Sequence, residues 1–185
     1  MAQHVVPFLS KNMNIRTAQP QDLQAIIEIY NQAIPTRRIT ADLTPVTEQQ
    51  RRPWFEEHFN NQTHPLWVMV ENVTESAVQN ERILGWFSFS PFYKRAAFDQ
   101  TVEISLYLDQ QARGKGYGSQ ALQFMQNQMS NCGINTLMAY VIEENHASRH
   151  LFEKHHFKQW GRYPNIANMG DSLQTFLVYG FQATV

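Results

Sequence analysis

One stretch limits what this chain can fold into more than any other: QQARGKGYGSQ at residues 110–120, with glycine at 114, 116 and 118. Before it stands VEISLYLD, in which period two puts Glu103, Ser105 and Tyr107 on one face. Val102, Ile104, Leu106 and Leu108 fall on the other, apolar face, as a half-buried strand requires. After it, Ala121, Leu122, Met125 and Met129 recur at helical spacing towards Cys132-Gly133. A strand that enters a helix through glycines presents bare backbone N–H groups at the positive end of the helix dipole. Such a corner attracts phosphate. Arg113 and Lys115 add positive charge to it. Neither of two common phosphate loops is present: G-x-x-x-x-G-K-[ST] has no counterpart, and Ser119 stands where G-x-G-x-x-G needs its third glycine.

The rest of the chain reads as one α/β-alternating domain. A loose leader is expected over residues 1–12 and the domain over 13–185. A first strand is expected from Asn12 to Ala18. A helix starts at Pro20, carries Leu23, Ile26, Ile27 and Tyr30 on one face, and stops at Pro35. Thr47 and Gln50 form a capping-box pattern that opens a helix to about Asn60. Strands are expected at Leu66–Glu71 and Arg82–Ser90, joined by a polar turn over NVTESAVQNE, and at Phe98–Asp109. Thr136–Ile142 forms the next strand, a helix covers Asn145–His155, and Phe157–Tyr163 and Leu173–Tyr179 finish the fold.

Composition narrows the function. A formal net charge of −1 argues against a nucleic-acid partner, which needs a basic face. No apolar run approaches the roughly 20 residues of a membrane span, so no membrane partner is expected. A single cysteine, Cys132, excludes an internal disulfide and fits the cytoplasm. Next to Gly133 it reads as a small buried thiol. His146 and His150 stand four apart on the last helix with His155-His156 following, but no Glu lies between the first two as in H-E-x-x-H. No metal site is expected.

The motifs resemble a family. QARGKG at 111–116 matches the [QR]-x-x-G-x-[GA] signature of the GNAT superfamily of N-acetyltransferases. NHAS at 145–148 followed by LFEKHHF at 151–157 is similar to a second conserved block of that family. PFYKRAAFDQTVEISLYLD at 91–109, IYNQAI at 29–34 and PVTEQQRRPWF at 45–55 resemble the phosphinothricin and methionine sulfone/sulfoximine acetyltransferases. Departures are Tyr93 at a usually basic position, His156 for a glycine, and Phe152 where many members carry a tyrosine. NMGDSLQTFLVYG also departs from the usual C-terminal pattern.

The resemblance implies an α+β fold whose central mixed, mostly antiparallel sheet contains a splayed parallel pair, flanked by helices. It implies acetyl-CoA as cosubstrate, a small amino-acid-like amine as acceptor, and a homodimer. The implied cofactor-binding residues are Leu106, Tyr107, Leu108, Gln111, Arg113, Gly114, Lys115, Gly116, Tyr117, Gly118, Ser119, Asn145 and Ser148. Glu103 is the implied general base and contacts the acceptor, Tyr107 is a substitute acid, and Lys94 and Arg95 anchor the acceptor's acidic end. Arg37 and Arg38 are weaker anchors, and Trp160, Tyr163 and Tyr179 could cap a closed pocket. Asn145 also fits a plain helix N-cap. Two alternatives share the fold: a peptide or protein N-terminal acetyltransferase, and a non-catalytic acyl-CoA sensor.

Overall fold

The computed structural model describes residues 13–75 and 78–183, so the expected leader lies outside the described residues. The strands are β1 (Met13–Thr17), β2 (Leu66–Glu75), β3 (Val78–Pro91), β4 (Thr101–Leu108), β5 (Thr136–Ile142), β6 (Lys158–Asn168) and β7 (Leu173–Gln182). The helices are α1 (Leu23–Asn31), α2 (Glu48–His58), α3 (Tyr117–Gln128) and α4 (His146–Lys154). All seven strands form one sheet in the order β1-β2-β3-β4-β5-β7-β6. Every neighbouring pair is antiparallel except β4 and β5.

That parallel pair is short. Only Thr101, Val102 and Glu103 lie against Thr136, Leu137 and Met138, after which the two strands part. Alternate main-chain amides of β4 beyond Glu103 therefore face a gap rather than a neighbour.

The strand alternation decides the two cores. Val102 and Ile104 are buried with Ala121, Leu122, Met125 and Met129 of the α3 region, on the side that also takes Phe152 of α4. The opposite face buries Val68, Val70 and Trp86 against Leu23, Ile26, Ile27 and Tyr30 of α1 and Phe55 of α2. The helical stripes legible in the sequence are thus the inner faces of two layers on either side of the sheet.

Local signals explain the element boundaries. Thr47 Oγ1 accepts from Gln50 N at 3.3 Å while Gln50 Oε1 accepts from Thr47 N at 2.8 Å, completing the capping box. Pro53 stands inside α2, where it removes one helical hydrogen bond without ending the helix. The structure corrects three expectations. α1 ends at Asn31, and Pro35 lies in a separate 3₁₀ turn over Ile34–Thr36. Phe98 lies in a 3₁₀ turn over Ala96–Phe98 instead of opening β4. The polar segment after Glu71 continues the β2–β3 ladder, with Asn72 opposite Glu81 and Glu75 opposite Val78; residues 76 and 77 lie outside the described residues. Main-chain pairing carries that hairpin through residues whose composition favours a turn.

Candidate functional site

The glycine corner is pinned from outside. Asp109 Oδ1 accepts from Gln111 N at 2.9 Å and opens a 3₁₀ turn over Gln110–Ala112. Gln32, the C-cap of α1, donates to Asp109 Oδ2 at 3.0 Å and accepts from Gln110 N at 2.9 Å. Arg82 donates to Asp109 at 3.1 Å and to Gln111 Oε1 at 2.8 Å.

From this fixed base the chain runs through Gly114 and Gly116, with φ of 74° and 85°. A side chain in that left-handed region costs roughly 1–2 kcal/mol. A Cβ at either position would meet nothing within 4 Å, so the space above the loop is open to a ligand. Gly116 is the N-cap residue of α3 and supplies no side-chain cap. First-turn amides of α3, those of Tyr117, Gly118 and Ser119 among them, are free donors for an anion.

A cavity of about 390 Å³ adjoins this corner. It is lined by Leu106, Tyr107 and Leu108 from β4, by Arg113, Gly114, Gly116, Gly118 and Ser119, and by Asn145 and Ser148. A smaller cavity of about 90 Å³ continues between β4 and β5 and shares Leu106, Tyr107, Asn145, Ser148, Ile39 and Leu151 with the first. Glu103 lines the smaller one, with Ser105, Tyr140 and Phe152. Burial there pushes the Glu103 carboxyl above its ordinary value. The cleft therefore runs from a helix start with free amides to a half-buried carboxyl.

The expected residues do not all meet in it. Gln111 is turned to Arg82, Lys115 is exposed, and the Tyr117 ring is in the core, and none of the three lines the cavity. Arg113 lines the cavity while its Nε donates to Leu108 O at 3.2 Å. Asn145 Oδ1 accepts from Ser148 N at 3.1 Å as the N-cap of α4, while its side-chain amide belongs to a residue lining both cavities.

Tyr107 stacks on Trp86 at 4.7 Å between ring centroids and meets Tyr30 at 4.9 Å. Burial pushes its hydroxyl up, which makes it a poor proton donor. Lys94 and Arg95 line a separate cavity of about 550 Å³ with His64, Asp99 and Thr101. Thr101 precedes Glu103 by two residues on the same face of β4, roughly 7 Å along the strand, and this cavity shares no lining residue with the one that Glu103 lines.

Other candidates fall elsewhere. Tyr179 is fully buried, Trp160 lies against Gly180, and Trp160 and Tyr163 are exposed, so none of the three caps the cleft. Arg37 donates to Leu43 O at 3.0 Å. Among the described residues no group of His, Cys, Asp or Glu could hold a metal ion. His150 lines the larger cavity, and His155 Nε2 lies 2.7 Å from Ser119 Oγ. Cys132 is half-buried, and burial pushes its thiol up, against a reactive thiolate. No helix among the described residues is long and apolar enough to cross a membrane.

Sequence reasoning missed Ile39, which reaches both cavities from the segment between α1 and α2. It also missed Leu151 of α4 as a wall residue, and the bonded pair of buried His58 and half-buried Ser90, the β3 residue opposite Glu103. No local motif announces these contacts, because they depend on strand register and on how α2 crosses the sheet.

Comparison with known proteins agrees with this geometry. The family model described as the acetyltransferase (GNAT) domain matches residues 12–158. YwnH of Bacillus subtilis, provisionally named a phosphinothricin acetyltransferase, is 41% identical over 157 residues, covering 85% of this chain and 91% of that protein. A Pseudomonas aeruginosa protein named L-methionine sulfoximine/L-methionine sulfone acetyltransferase is 30% identical over 153 residues, covering 83% of this chain and 84% of that protein. The solved structure of Salmonella typhimurium yncA, provisionally named an acetyltransferase and determined with its cofactor acetyl-CoA, has a TM-score of 0.79 at 26% identity. It covers 93% of this chain and 94% of that one. The family match spans every element that builds the cleft, from β1 through α4, and on it the chain belongs to the GNAT family of acetyltransferases.

Proposed function

We propose that the protein moves acetyl from acetyl-CoA to the α-amino group of a small amino-acid-like acceptor, by direct attack while both substrates are bound. The observation that carries this is the continuous cleft joining the bare amides of Gly114–Ser119 to the buried carboxyl of Glu103. The names of the two relatives point to acceptors of the phosphinothricin and methionine sulfone or sulfoximine type. Amides of the glycine corner, with Arg113, hold the diphosphate. The arm leading to the thioester lies in the gap between β4 and β5, where Asn145 offers its side-chain amide.

The acceptor arrives as an ammonium ion of pKa about 9, only about 1% neutral at pH 7, a handicap of roughly 2.7 kcal/mol. Glu103 removes that proton, directly or through water, and its raised pKa suits it to the task. As the amine attacks, charge develops on the thioester oxygen, and an unpaired β4 amide between Ser105 and Leu108 stabilises it. The thiolate then leaves. Phe152 has no proton to give, and the acidity of the thiol makes one unnecessary. Arg95, with Lys94, grips the acceptor's acidic end from the cavity that Thr101 lines, two residues along β4 from Glu103. The setting proposed for the enzyme is the cytoplasm, as a homodimer.

Thiol release from acetyl-CoA over a panel of amines, including methionine sulfone and phosphinothricin, tests the reaction. Turnover on small amino acids is the expected result. Binding of acetyl-CoA without release on any amine would leave a sensor, and turnover restricted to peptides would move the acceptor class. Glu103→Gln should lower kcat by about 10²–10⁴ at neutral pH and remove the acid limb of its pH profile. An unchanged limb would exclude Glu103 as the base.

A further inference from the structure

His58 is 2% exposed, sits at the last position of α2, and belongs to none of the steps above. Its Nδ1 lies 2.7 Å from the main-chain oxygen of Trp54. A carbonyl can only accept, so Nδ1 carries the proton and Nε2 presents a lone pair. At 2.9 Å from that lone pair stands Ser90 Oγ, whose hydroxyl must then donate to His58. Ser90 is the β3 residue directly opposite Glu103 of β4. Residues paired across an antiparallel ladder project from the same face with Cβ atoms about 5 Å apart. With its proton committed to His58, the Ser90 oxygen shows the neighbourhood of Glu103 only lone pairs.

We propose that His58 and Ser90 are positioning residues for the general base, with neutral His58 orienting Ser90 so that it accepts a hydrogen bond from protonated Glu103. The proposal rests on Glu103 being the base. When Glu103 takes the ammonium proton, its new O–H bond needs an acceptor, and Ser90 Oγ supplies one; the ionised carboxylate gains nothing from it. Stabilising only the protonated form raises the basicity of Glu103, in the same sense as its burial. No proton passes to His58. Burial lowers its pKa, outweighing the Trp54 carbonyl bond and Glu57, which raise it, while His64 and Arg51 lower it further, so the ring stays neutral. The proton on Glu103 returns to solvent through the cleft. The other titratable groups near Glu103 are Tyr107 on β4 and Tyr140 on β5, both with pKa values raised first by burial, so both stay neutral at the pH of the reaction.

The test is the pH dependence of kcat with saturating acetyl-CoA and a turned-over amino acid. Ser90→Ala should move the midpoint of the acid limb down by about half to one pH unit, with a several-fold lower plateau. Ser90→Thr keeps the hydroxyl and should retain the wild-type midpoint. His58→Phe should shift the midpoint at least as far as Ser90→Ala, because the freed Ser90 hydroxyl can then donate to the ionised carboxylate. Glu103→Gln separates the two ideas. If it abolishes the acid limb while Ser90→Ala leaves the midpoint in place, the positioning role is overturned and the base assignment stands. If Glu103→Gln itself leaves the limb unmoved, the base assignment fails. Ser90→Ala is a small change at a half-buried site, so the test survives even if His58→Phe does not fold.

Discussion

As the proposed base, Glu103 would favour chemistry over stability. Its carboxyl titrates at 4.5 when unfolded and higher when buried in the cleft. A raised carboxyl means stability that is fully present below pH 4.5 and lost as pH rises through the folded-state value. Glu103→Gln keeps the shape and removes the charge. The variant should therefore melt close to wild type near pH 4 but on the order of a few degrees higher at pH 8, by calorimetry. An equal difference at both pH values would show that the folded chain does not desolvate this carboxyl. His58 acts with the opposite sign: its lowered value means stability held above pH 6.5 and lost as pH falls. At this scale Glu103, Asn145 and the three glycines were legible, since each announces itself through strand period or a helix start. Ser90 and His58 were not, because they meet across 32 residues of chain.

At the scale of elements, the residue that caps α4 has two duties in the proposed enzyme. Asn145 caps the helix through its oxygen and lines both cavities. Asn145→Asp separates the duties, since a carboxylate caps as well and suits the positive helix end. Thermal stability should stay within about 0.5 kcal/mol of wild type, while KM for acetyl-CoA rises by about tenfold. An unchanged KM would leave Asn145 a cap alone. The capping box of α2 and the apolar stripes of α1 and α3 were read correctly because they are local and repeat at short spacing. The β2–β3 hairpin was expected, but the length of its ladder was misjudged, because main-chain groups that a sequence does not vary make it.

On the scale of the whole molecule, one edge of the sheet stands out. β6 is the edge strand beside β7, and Trp160, Tyr163 and Ile166 on it are exposed, as is Leu173 at the start of β7. Bulky apolar groups on an open edge favour association. The homodimer proposed here should appear as twice the chain mass in sedimentation equilibrium, and Tyr163→Glu with Ile166→Glu should shift it towards monomer. A wild-type protein that sediments as a monomer at micromolar concentration would overturn the dimer.

The sequence alone determined the glycine corner, the face of β4 that carries Glu103, and the helices that cover the sheet, because each rests on neighbours a few residues apart. Only the tertiary structure decided which groups share a cavity. It placed Arg95 and Glu103 in separate cavities, buried Tyr179 in the core, and set Ser90, bonded to His58, across the ladder from Glu103. Those placements depend on strand register and on how the helices cross the sheet, and both are settled by packing between residues far apart in the chain.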